Sequence, residues 1–383
     1  MIPRLRPDLT WRELAAALRP PSGDDVAAFE AAFAREMGQR QGIAFPYGRT
    51  GLIMLLHALG LQDAEVICPA YTCVVVAHAI VRSGNRPVFV DCRQGDFNMD
   101  LEAAERLITP RTRALVATSL FGFPVDLDRL DALRSKHPHV RIIQDCAHSF
   151  ACEWNGRPVQ REGDAAMFGL NVSKLMTSVF GGMVTTDDEA LAQRLREIRR
   201  QRLVNPGLRK SLRRLLYLAA VYPAFHPKLY GVVLALQEAR LLNRFTAYYD
   251  ESLIDMPADY LEAMSRVEAR VGLVQTARYR DIVAKRRSRQ LQWRRLLSGD
   301  GSLSLPPDVA GATYSHFVAL AADRAATVAS WRARGVQLGE LIEYSIPTMP
   351  AYRPYQHGDF PVSAHYARHT VNFPLGFDPE EIV

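Results

Sequence analysis

Lys174 lies in FGLNVSKLMTSVFGG, flanked by apolar residues and followed by a Gly-Gly turn. Burial in such a setting lowers the pKa of an amine, which is what Schiff-base chemistry requires. A lysine at a strand end can also snorkel to solvent. Asp145 ends the apolar run VRIIQ, where a carboxylate needs a partner. A protonated pyridine nitrogen is such a partner; a helix cap or a strand-end hydrogen bond is the alternative. His148 could hydrogen-bond a cofactor's phenolic oxygen, lie against its ring, or be a satisfied core histidine. In FPYGRTGL the backbone N–H groups near Arg49, Thr50 and Gly51 open a helix and would point at a phosphate. Arg49 adds the fork geometry that suits that anion. An ordinary glycine turn would leave the same signal. Together these residues describe a candidate cofactor site with an amine, an acid and an anion cradle, and no metal.

The elements that must position them alternate. Leu52 to Leu59 reads as a helix, EVICPAY as a strand, and VVVAHAIVRSG as a helix ended by Gly84. RPVFVDC is a strand, LEAAERLI a helix, RALVATSLFG a strand and VDLDRLDALRSKH a helix. VRIIQDCAH, AAMFGLNV and GGMVTT are three further strands. Strands separated by helices, with continuous β-branched runs, predict a mostly parallel sheet covered on both faces. Function in such sheets gathers at the carboxyl ends of the strands. The loops after Ala44, Cys68, Ser119 and Gln144 are thereby placed around one crevice.

Beyond Arg194 the pattern changes. Residues 203–250 are basic and hydrophobic, broken by Pro206, Pro223 and Pro227. Arg209, Lys210, Arg213 and Arg214 lead into LLYLAAVYPAFHP, whose apolar runs are too short to span a bilayer. Such a segment is either an interfacial one for anionic headgroups or a helical insertion packed on a dimer or over the site. From Asp259 onward, Met264, Val267, Val271 and Val274 repeat at helical spacing on a long helix running to about Leu297. The remainder reads as a smaller α+β unit. Two domains are expected, 1–250 with the cofactor site and the insertion, and 251–383.

The bulk composition is that of a globular protein. A net charge of +6 admits an anionic small molecule, a membrane surface or a scattered solvated surface; no nucleic-acid partner is expected. The five cysteines (Cys68, Cys73, Cys92, Cys146, Cys152) form no CxxC pair, which suits free thiols in a reducing compartment. The N-terminus lacks the apolar core of a signal peptide, and the cytoplasm is the expected location, whether or not the chain touches the inner face of a membrane.

The ordered series GRTGL, EVICPAYTC, RPVFVDCRQGDFNMD, ITPRTRALVATSLFGFPVDLD, IIQDCAHSF, FGLNVSK and GGMVTTDDE resembles the DegT/StrS-like (DegT/DnrJ/EryC1/StrS) aminotransferases. MSRVEARVGLVQTARYRDIVAKRR is similar to that family's C-terminal-domain helix. The resemblance covers about residues 24–200 and 255–383. It implies a pyridoxal 5'-phosphate enzyme of fold type I, usually a homodimer, that aminates keto-sugars attached to nucleotides. An amino acid, glutamate first among them, would be the donor. Surface-polysaccharide or secondary-metabolite sugars would be the destination.

Carried over, Lys174 would form the Schiff base and move the proton. Asp145 would pair the pyridine nitrogen, and His148 stands where the family has Gln or His beside the cofactor. Arg49 and Thr50 fall on the phosphate-binding turn. Retention of the lysine favours transamination over dehydration. Three positions depart from the pattern. Gly169 stands where the family usually has a phosphate-binding Ser. Cys73 stands where it has the ring-stacking aromatic, with Tyr71 two positions earlier. Leu261 stands where it has an Asn donated across the dimer. A phosphate cup rebuilt from Arg49, Asn171 and Ser173 is the expected compensation. The alternatives are a catalytically silent scaffold or regulatory subunit of the same fold, and another pyridoxal-phosphate reaction such as dehydration.

Overall fold

Continuous apolar runs make poor surface strands, so a chain that alternates them with helices must bury a sheet on both sides. The computed structural model describes residues 1–20, 23–239, 250 and 252–382 and shows that arrangement. Helices α1 (Trp11–Leu18) and α2 (Asp25–Glu36) lead into β1 (Gln41–Phe45). Then come α3 (Gly48–Ala58), β2 (Glu65–Pro69), α4 (Val75–Arg82), β3 (Arg86–Val90), α5 (Leu101–Arg106), β4 (Thr112–Thr118), α6 (Leu127–Lys136) and β5 (Arg141–Asp145). A short ribbon, β6 (Glu153–Trp154) and β7 (Arg157–Pro158), precedes β8 (Ala165–Gly169), β9 (Gly182–Thr186) and α7 (Glu189–Arg202). Next are α8 (Leu208–Ala224), α9 (Pro227–Glu238) and the long α10 (Arg266–Leu297). The chain closes with β10 (Leu303–Ser304), β11 (Phe317–Ala321), α11 (Arg324–Ala333), α12 (Pro361–His369) and β12 (Thr370–Phe373).

Seven strands form one sheet in the order β1-β9-β8-β5-β4-β2-β3. All run parallel except β9. Register sets Thr118 opposite Asp145 and Asp145 opposite Met167, so three carboxyl ends finish side by side. A second sheet, β10-β11-β12, is antiparallel. Helix α10 joins the two sheets. It packs on α1 and α2, while Trp293 near its end meets Phe373 and Trp331 at ring distances of 5.1 and 5.6 Å.

Several boundaries differ from the sequence pattern, two of them for a clear local reason. Helix α10 begins at Arg266, later than Asp259, because Ser265 caps it and Glu268 completes a capping box. Strand β8 stops at Gly169, inside AAMFGLNV, where the chain leaves the sheet and Ser178 N–H returns to the Leu170 carbonyl at 2.9 Å.

Glycines bring the start of α3 onto the sheet. A Cβ on Gly182 would stand 2.4 Å from Gly48 N, and one on Gly48 would stand 3.1 Å from Gly169 Cα. Backbone packed that closely leaves no room for a side chain at Gly182 and little at Gly48.

The prolines of the 203–250 segment fall at helix ends: Pro223 in the last turn of α8 and Pro227 at the first residue of α9. Residues 240–249 of that segment lie outside the described residues. Two of its four clustered cations turn inward. Lys210 Nζ donates to the Glu262 and Ala263 carbonyls at 2.6 and 2.9 Å. Arg214 bridges Asp259 at 2.7 Å and the fully buried Glu268 at 2.9 Å, with its guanidinium 4.2 Å from the centre of the Phe180 ring. Removing one partner of such a network strands buried charge, which costs about 3–5 kcal/mol. Arg214→Ala should therefore lower unfolding stability by about that amount in a denaturant titration. A variant with wild-type stability would show that this network does not anchor α8.

Candidate active site

A parallel sheet offers its strand ends as a crevice, and here β4, β5 and β8 deliver Thr118, Asp145 and Gly169 to the same place. Asp145 is 4% exposed. One carboxylate oxygen accepts from Ala147 N–H at 3.0 Å and the other from Thr118 Oγ1 at 3.3 Å. Burial raises its pKa; Ala147 N–H, the Lys174 amine and the Thr118 hydroxyl oppose the rise. No ion pair reaches it among the described residues.

Lys174 lies in the loop after β8 and is half-buried. Its Cε lies 3.4 Å from where a Cβ on Gly169 would stand. Desolvation lowers the amine's pKa; Cys73 and Asp145 counter this, and Arg49 adds to it. The loop carries a backbone outlier, Val179 at φ 75°. A β-branched residue in the left-handed region is strained, and strain of this kind is held where the surroundings over-determine the conformation.

His148 Nδ1 accepts from Phe121 N–H at 3.3 Å. Its ring stacks on Phe121, centroids 5.9 Å apart and planes 19° off parallel, and tilts against His316 at 4.8 Å. Burial, then Lys174, holds both histidines well below the ordinary range, so both are neutral near pH 7. With Nδ1 accepting, the His148 proton belongs on Nε2. The turn that presents these rings is tight. Phe121 has φ 56°, and a Cβ on Gly122 would stand 2.7 Å from Tyr314 N.

Lys174, Asp145, His148, Arg49 and Cys73 thus come together. Two of the expected cofactor contacts have their hydroxyls bonded elsewhere. Thr50 is buried and its hydroxyl donates to the Tyr260 carbonyl at 3.0 Å, which leaves only its backbone to face an anion. Tyr71 is fully buried, donates to Thr370 Oγ1 at 3.1 Å and packs against Phe121 and Tyr366, so its ring belongs to the packing with α12 and β12. Half-buried Ser173 donates through its hydroxyl to Asn171 Oδ1 at 2.6 Å, which ties the two into one turn. Gly169 is not glycine for want of space. A Cβ there would meet Lys174 Cε at 3.4 Å and Ala147 Cβ at 3.6 Å, ordinary contacts. Leu261 packs against the main apolar cluster. His316 escaped the sequence reading, because TYSHFVALA signals a strand and nothing local ties its histidine to Lys174.

The residues fit pyridoxal phosphate on what they leave unsatisfied. Asp145 has no ion pair among the described residues, and the first turn of α3 has no side-chain cap. Arg49 is half-buried without a hydrogen bond or ion pair among the described residues. A protonated ring nitrogen and a phosphate would supply those missing partners, and the Lys174 amine would offer the point of covalent attachment.

The profile of the DegT/DnrJ/EryC1/StrS aminotransferase family matches residues 11–381. GDP-perosamine synthase from Caulobacter vibrioides is 35% identical over 180 residues, 47% of this chain and 48% of that protein. UDP-N-acetyl-3-dehydro-alpha-D-glucosamine 3-aminotransferase from Acidithiobacillus ferrooxidans is 36% identical over 179 residues, 46% of this chain and 48% of that protein. The matched stretch thus spans about half the length of these curated relatives. Among solved structures, the aminotransferase TlmJ from Streptoalloteichus hindustanus superposes with a TM-score of 0.76 at 24% identity, covering 100% of this chain and 96% of that one. Helicobacter pylori PseC does so with 0.77 at 18% identity, covering 99% and 95%.

Fold and site define a pyridoxal-phosphate enzyme of fold type I. The chain belongs to the DegT/DnrJ/EryC1/StrS aminotransferase family.

Asp145→Asn keeps the hydrogen bond from Ala147 but removes the charge. It should retain the fold and bound cofactor while slowing turnover by roughly 10²-fold or more, since the acid keeps the ring an electron sink. Wild-type turnover in this variant would make Asp145 a purely structural residue.

Proposed function

We propose that this chain transfers an amino group from an amino acid, glutamate first among candidates, to a keto-sugar carried on a nucleotide, and that it works as a homodimer. The observation that carries the reading is a desolvated Lys174 amine near a buried Asp145 that has no ion pair among the described residues, at the ends of parallel strands. The names of two relatives, a GDP-perosamine synthase and a UDP-sugar 3-aminotransferase, support a nucleotide-linked acceptor. A diphosphate-sugar substrate also suits a basic chain, net charge +6. Residues 1–250 would form the cofactor-binding domain and 251–383 the smaller one, in keeping with where the two sheets lie.

When bound, pyridoxal phosphate supplies an electron sink that stabilises a carbanion next to the transferred nitrogen. The chain's own residues do the rest. Lys174 Nζ would hold the cofactor covalently and, as a free amine, would move the proton, since burial lowers its pKa below the ordinary lysine value. Asp145 would pair the cofactor's ring nitrogen. His148, fixed through Nδ1, would keep Nε2–H available to the cofactor. Arg49 and the first turn of α3 would hold the phosphate. Asn171 and Ser173 close the cup in this reading.

Supplying the holoenzyme with glutamate and a panel of keto-sugar nucleotides should release 2-oxoglutarate in step with amino-sugar formation. Lys174→Ala should lower that rate by at least ~10³, as expected on losing both the covalent and the acid/base role. Consumption of the sugar without 2-oxoglutarate would replace transamination with another reaction of the same cofactor.

A further inference from the structure

Helices α8 and α9 form a hairpin whose outer side is apolar. Leu208, Leu212 and Leu216 recur every fourth residue of α8 and are 91%, 57% and 61% exposed. On α9, Leu229, Val232 and Leu236 recur at helical spacing and are 50%, 63% and 38% exposed. Most of the exposed large hydrophobic side chains among the described residues fall between Val204 and Leu236. Helix α1, packed on α8, adds Trp11 and Leu18, one face of one helix, 68% and 66% exposed.

The hairpin does not present these leucines for lack of anchoring. Its inner face is committed: Leu215 and Leu218 pack with Val179, Val267 and Val271, and Lys210 and Arg214 are bonded to the body of the protein. The apolar stripe is therefore held outward by a rigid element.

Charge says what covers it. Helix α8 contains four cations and no acid. Arg209 and Arg213 are exposed beside the leucine stripe; Arg209 has no acidic partner among the described residues, and Arg213 meets only Asp259, at 3.7 Å. A cavity of about 440 Å³ opens between the hairpin and the N-terminal segment. Its wall combines Val221, Tyr222, Phe225 and Leu229 with Arg6 and Lys228. Apolar side chains interleaved with exposed cations match a lipid surface, where acyl boundary and anionic headgroup lie within one side-chain length of each other. A second copy fits poorly where a two-fold axis passes through this face, because Arg209 and Arg213 would then lie close to their own counterparts. No helix among the described residues is long and apolar enough to cross a membrane, so the hairpin would lie on the bilayer.

We propose that the α8–α9 hairpin docks the enzyme on a bilayer rich in anionic headgroups, with Leu208, Leu212 and Leu216 entering the acyl boundary. The test is flotation with vesicles of phosphatidylcholine alone and of phosphatidylcholine mixed with phosphatidylglycerol, at low and at physiological salt. The chain should float with the anionic vesicles at both salts and far less with the neutral ones. Leu212→Glu combined with Leu216→Glu alters only exposed positions, so circular dichroism should be unchanged while flotation falls roughly tenfold or more. Failure of the unmodified chain to float at either salt would overturn the proposal. So would flotation of the double variant at the unmodified level. A dimer that becomes a monomer in the double variant, with flotation unchanged, would assign the face to a second copy instead.

Discussion

The site depends on an amine and a carboxylate that are both taken out of water at the ends of parallel strands. Desolvation disfavours each charged form, pulling Lys174 down and Asp145 up, and their mutual attraction opposes both shifts. Neither group is satisfied by the other or by the protein alone. Asp145 keeps only two neutral donors. A buried carboxylate in that condition is costly unless a cation arrives, so the fold carries an unmet demand that a protonated heterocycle answers.

Everything near these two groups serves to hold them there. Parallel register aligns Thr118, Asp145 and β8. Close backbone contact at Gly48 and Gly182 docks the uncapped first turn of α3 against the same strand ends. The left-handed turn at Phe121–Gly122 fixes His148, and its contact with Tyr314 brings His316 from the second sheet's leading edge onto the first. Helix α10 then spans the two sheets, with Ala269, Tyr279 and Ile282 in one apolar cluster with Leu115 and Ile142 of the first and Trp293 against Phe373 of the second.

Much of this was legible in the sequence, and what was not has physical reasons. Apolar runs and helical spacing located the strands and the crevice, because two-sided burial leaves an unmistakable pattern. The class of site was readable from Lys174, Asp145 and GRTG taken in order. Side-chain direction was not readable. Tyr71 and Thr50 sit in the right segments, yet their hydroxyls bond Thr370 and the Tyr260 carbonyl, partners 299 and 210 residues away. His316 reaches His148 across a similar separation, and no local periodicity encodes such a contact. The basic segment misled in part for the same reason. Lys210 and Arg214 look like surface charge in sequence but are consumed by partners brought near only in the fold. Arg209 and Arg213 remain outside.

Covalent attachment at Lys174 is open to direct measurement. The chain, loaded with pyridoxal phosphate and reduced with borohydride, is digested and its modified peptide identified by mass. One stable adduct is expected, on the peptide containing Lys174. An adduct on a different lysine, or none while the cofactor stays bound, would contradict it.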